Sequence, residues 1–105
     1  MPYRLRFFFD TGSGICLWAG DPATEARYGL AVDPQTLPLP PELVAEAERL
    51  IALWDTGIDW NDPGGSSPWT AEDTRRFQAQ AEALLDRLRV ALGPGFMVVD
   101  ERQRA

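Results

Sequence analysis

The sequence predicts an α+β fold. A small antiparallel sheet, made of an N-terminal hairpin and a C-terminal strand, is covered on one face by two antiparallel helices. Three observations predict it. Near the N-terminus Tyr3, Leu5, Phe7 and Phe9 alternate with Arg4, Arg6 and Phe8, the period of two of a half-buried strand. Residues 43–54 and 77–92 carry apolar side chains at helical spacing. Strand signals come first and the long helix signals follow, rather than alternating as they do in α/β chains. The 105 residues are read as one domain, 1–105, in which 100–105 is a polar tail expected to fray.

Each element has its own local cause. Residues 3–9 form the first strand. Thr11-Gly12-Ser13-Gly14 is turn material, and residues 15–19 return as the second strand, with Ile15 and Leu17 inward and Cys16 and Trp18 opposite. Asp21 caps a short helix begun by Pro22 and stopped by Gly29. Residues 30–32 are a brief third strand. The prolines of residues 37–41 keep the connector extended. Pro41 starts a helix with Leu43, Ala47, Leu50, Ile51 and Trp54 inward, and Gly57 stops it. Thr70 with Asp73 makes a capping box for the second long helix, with Ser67-Pro68 as a competing start. That helix has Phe77, Ala81, Leu84, Leu85, Leu88 and Leu92 as its stripe and ends at Gly93-Pro94. Residues 96–99 form the last strand, apolar throughout.

Composition narrows the chemistry. There is no histidine and no lysine, so all ten basic residues are arginine. The commonest general base is missing, and lysine Schiff-base or P-loop chemistry is excluded. One cysteine allows no internal disulfide. No stretch is apolar enough to span a bilayer or to serve as a signal-peptide core, so a cytoplasmic protein without a membrane role is expected. The net charge of −6 argues against nucleic acid as a partner. That charge is concentrated: residues 42–73 hold eight acids and one base, while the rest of the chain is nearly neutral.

Several motifs invite a catalytic or metal reading. Phe9-Asp10-Thr11-Gly12-Ser13, with a second Asp55-Thr56-Gly57, resembles the paired catalytic loops of aspartic peptidases. Those domains are nearly all β, whereas here two long helices occupy about half the chain. Asp59, Asn61 and Gly64 match the first, third and sixth positions of a calcium loop, but Pro63 and Thr70 stand where ligands are needed. Gly12-x-Gly14 leads into a strand and lacks the helix of a phosphate loop. No catalytic residue, metal or cofactor is therefore assigned.

Residues 54–69, WDTGIDWNDPGGSSPW, remain as the candidate functional stretch. The loop is longer than most helix–helix connections, and such loops tend to carry function. Trp54 falls on the helix stripe and Trp69 is placed to pack back on it, whereas Trp60 has no periodic reason to be buried. Aromatic residues ringed by acids are the composition of a protein–protein hot spot. The candidate partner contacts are Asp55, Asp59, Trp60 and Asp62, with Glu46 and Trp18. In size, charge and layout the chain resembles the small acidic immunity proteins of bacterial toxin–immunity pairs. That resemblance implies a non-catalytic inhibitor that blocks a basic toxin domain. Two other readings stay open: a carboxylate-dependent hydrolase using Asp10 and Asp55, and an adaptor that dimerises through a sheet edge.

Overall fold

Alternation at the N-terminus does produce a strand with two distinct faces. In the computed structural model, which describes residues 2–59, 61–62 and 64–102, strand β1 (Tyr3–Phe7) buries Leu5 and Phe7 completely and exposes Arg4. Strand β2 (Leu17–Ala19) pairs antiparallel with it, Leu5 opposite Ala19 and Phe7 opposite Leu17. The inward residues of β2 are Leu17 and Ala19, and Cys16 is also fully buried while Ile15 is only half-buried. This corrects the alternation read from Ile15, because regular pairing starts only at Leu17. Trp18 does lie on the outer face, stacked on Phe8 at 5.0 Å with the rings 7° apart.

Helix α1 (Pro22–Tyr28) begins where Asp21 accepts the Thr24 N–H at 2.8 Å, and ends at Gly29, whose φ of 88° favours glycine. The expected third strand is reduced to a single bridge between Ala31 and Trp18. Helix α2 (Pro41–Asp55) buries Leu43, Ala47 and Leu50. Helix α3 (Ala71–Leu92) starts on the anticipated capping box: Thr70 accepts the Asp73 N–H at 3.0 Å, and Asp73 accepts the Thr70 N–H at 2.9 Å. The two helices are antiparallel. Trp54 packs on Phe77, Arg49 donates to Gln80, and Leu43 lies beside Asp86 and Val90. Their stripes meet Leu5, Phe7, Leu17 and Val98 in one core. Complete burial of each large side chain is worth roughly 1.5–3 kcal/mol.

Strand β3 (Phe96–Asp100) pairs with β1 in parallel, Tyr3 beside Phe96 and Phe7 beside Asp100. The sheet order is β2-β1-β3, so the sheet is mixed where an antiparallel one was expected. The cause is the path of α3. Its Phe77 packs on Phe9, just beyond the end of β1, and its far end delivers Phe96 next to Tyr3 at the start of β1. A 3-10 turn at Gly93–Gly95 then reverses the chain, so β3 must run alongside β1. Only Val98 of β3 is buried; Met97 and Val99 remain 45% and 39% exposed on the face that carries no helix.

The start of the polar tail is anchored. Glu101 pairs with Arg6 at 2.8 Å. The Arg102 side chain, 7% exposed, binds Asp100, Glu82 and the Gln78 carbonyl, and lies over the Phe7 ring.

Candidate partner-binding surface

The end of the molecule where β1 gives way to the hairpin turn is also where α2 hands over to α3. A hydrogen bond joins them, the Gly12 N–H donating to Asp55 Oδ1 at 3.0 Å, and Phe9 packs against Trp54 and Phe77. The two Asp-Thr-Gly segments therefore meet at one end of the fold. Asp55 is the last residue of α2, and here it fastens the hairpin tip to that helix.

The connection from α2 to α3 is held at its base. Trp69 Nε1 donates to Thr56 Oγ1 at 2.9 Å, and its ring meets Trp54 edge-on at 6.0 Å. Ser67 Oγ donates to the Gly57 carbonyl at 2.6 Å and accepts the Trp69 N–H. Gly57 sits in a tight space, since a Cβ there would stand 3.1 Å from the Trp54 carbonyl and 3.3 Å from the Trp69 ring, and either neighbour would have to give way. Trp54 and Trp69 are thus packed as their positions implied. Among the described residues Trp54 Nε1 is buried with no hydrogen-bond partner.

Between the hairpin tip and this base lies a groove of about 310 Å³. Thr11, Trp54, Ile58, Trp69, Thr74 and Gln78 line it, and none of the described residues lining it is charged. Beyond it the chain turns outward. Asp59 and Asp62 are exposed; Asp59 accepts the Asn61 N–H at 2.9 Å, and the Asp62 carbonyl accepts the Gly65 N–H at 3.0 Å. Both are Asx-type and turn contacts to backbone. Among the described residues neither Asp59 nor Asp62 forms an ion pair, and Asp10 forms none either.

Trp60 lies outside the described residues. Glu46 sits on α2 and is engaged by Arg49, whose hydrogen bonds of 2.8 and 2.9 Å hold its carboxyl below the usual range. Trp18 is on the outer sheet face, its indole N–H donating to the Phe8 carbonyl at 3.2 Å. The structure thus brings Asp55 to the hairpin tip with Asp59 and Asp62 just beyond it, and puts Glu46 and Trp18 on α2 and β2. The groove was not foreseen, because its walls come from residues 11, 54–58, 67–69 and 74–78. Only the repeated Asp-Thr-Gly signalled that these segments share chemistry.

A family model described as Serratia CdiI immunity protein-like matches residues 4–100. The chain belongs to that family. The match runs from β1 to the last residue of β3, so the groove and the acidic connection both fall inside it. No curated protein matches the chain. Membership of the CdiI immunity protein-like family supports a toxin-neutralising role without catalysis, and with it a toxin as binding partner. Among the described residues no helix is long and apolar enough to cross a membrane.

Proposed function

We propose that this immunity protein neutralises a basic toxin domain by presenting the acidic connection between α2 and α3. The observation that carries the reading is the state of Asp59 and Asp62. They are exposed and have no cation partner among the described residues, as holds also for Glu42 and Glu48 on α2, whereas Glu46, Glu72 and Asp73 of the same acidic segment pair with arginines. Uncompensated charge at one end of a chain carrying −6 overall accelerates capture of a cationic partner. Asp55 contributes by fixing the hairpin beside the acids. Trp60, which follows Asp59 in the sequence, is the proposed aromatic contact, with Glu46 and Trp18 as further proposed contacts. Binding of this kind occludes the toxin and needs no cofactor or metal.

The test uses the cognate toxin domain, to be identified by capture on this chain and mass spectrometry. Asp59→Asn combined with Asp62→Asn is expected to slow association and flatten its salt dependence, with the melting temperature unchanged. Trp60→Ala is expected to speed dissociation, costing on the order of 2 kcal/mol. Unchanged kinetics in both, measured on proteins that melt normally, would refute the reading.

A further inference from the structure

The groove beside the acidic connection plays no part in charge steering, yet its form is specific. At about 310 Å³ it lies at the small end of ligand pockets, which span roughly 300–1,000 Å³, so it suits a single side chain. The described residues of its lining are uncharged, with two indoles and Ile58 among the walls. Carboxylates border it in the chain: Asp55 follows Trp54, and Asp59 follows Ile58. An apolar centre inside a charged rim is the anatomy of an interface hot spot. Charge selects the occupant. A second copy of this chain would bring another −6 to an acidic rim, while a basic segment meets it with complementary charge.

We infer that the groove receives one apolar side chain of the toxin, the size of leucine or phenylalanine, carried between arginine or lysine residues. This rests on the acidic-end reading above and names the part of the toxin that it holds.

Filling the groove from each wall tests it. Thr74→Phe enters from α3 and Thr11→Phe from the hairpin; both positions are exposed, so the core is untouched. Each variant is expected to melt like the wild type, associate with the toxin domain at the wild-type rate, and release it about tenfold faster or more. Two peptides serve as direct probes, acetyl-Arg-Leu-Arg-amide and acetyl-Arg-Ala-Arg-amide. The leucine peptide should shift the Trp54 and Trp69 indole NMR signals, and the alanine peptide should not. Wild-type release from both folded variants, or equal shifts from the two peptides, overturns the proposal. So does a dimer of this chain that Thr74→Phe dissociates, since the occupant is then a second copy. If Asp59→Asn with Asp62→Asn slows association while the filled variants behave as wild type, the acidic reading survives and the groove is removed from it. If the filled variants release faster while the acid substitutions change nothing, the groove stands and the steering reading fails.

Discussion

Arg102 gathers Asp100, Glu82 and the Gln78 carbonyl around one guanidinium while lying over Phe7. Asp100 is held below the usual carboxylate range by its hydrogen bond to Arg102. A depressed folded value means that the stabilisation is present above the unfolded value, about pH 4, and is lost as pH falls below that through the folded value. Arg102→Met is expected to lower stability at neutral pH by about 1–3 kcal/mol and to make the acid-side decline below about pH 4 shallower. Urea titrations at several pH values check both. Asp10 gives a contrasting expectation. It precedes the hairpin turn, and its carbonyl accepts the Ser13 N–H at 3.1 Å. Asp10→Asn leaves that turn intact and removes no group assigned to partner binding, so it should protect cells against the toxin as well as the wild type does. Loss of protection by a normally melting Asp10→Asn protein would restore the hydrolase reading.

At the scale of elements, β3 is the open edge of the sheet. The Glu101 N–H donates to the Phe7 carbonyl at 3.0 Å, so Glu101 and its alternates Val99 and Met97 face β1, and the Val98 carbonyl points outward. Arg89 of α3 reaches around and donates to that carbonyl at 2.8 and 3.2 Å. A charged side chain seated on an edge carbonyl blocks strand pairing with another chain. Arg89→Ala should therefore cost about 1 kcal/mol and allow self-association at high concentration, measurable by sedimentation. This covering weakens the idea of an adaptor that dimerises through that edge. The helices were legible in the sequence because their causes are local: an apolar stripe, the Thr70–Asp73 box and the glycine stops. The parallel pairing of β3 was not, because it depends on which end of the sheet α3 reaches. Cys16 was misplaced for a related reason, since alternation shows period but not where regular pairing begins. The groove had no periodic signature, being assembled by a contact between residues 12 and 55.

Across the whole molecule, charge is sorted by location. Most of the arginines lie outside residues 42–73, and several are tied to acids on α3, β3 and the C-terminal residues. The end built from the hairpin tip and the α2–α3 connection is left with carboxylates. Fields from such a cluster are screened over roughly 8 Å at physiological salt. The association rate with the toxin should therefore fall steeply as salt rises, and the dissociation rate should hardly change. Stopped-flow measurements across a salt series check this, and a flat association rate would mean that the acidic end steers nothing. The acidic concentration itself could be read from residue counts. The contrast between engaged and unengaged acids required the folded positions of the arginines.

Cys16 is wholly enclosed, and burial pushes its thiol up to about 12. Thiolate is the reactive species, so a closed molecule offers an alkylating reagent almost nothing to attack. Modification must wait for the hairpin to part from the helices, and the lone cysteine becomes a clock for that opening. With excess reagent and rapid reclosing, the labelling rate reports the population of opened molecules. A toxin that binds only the closed form should slow the clock by the factor 1 + [toxin]/Kd. Labelling followed by mass spectrometry would then measure affinity without any tag on either protein. A clock unchanged by saturating toxin would mean that the hairpin opens as freely in the complex as in the free chain.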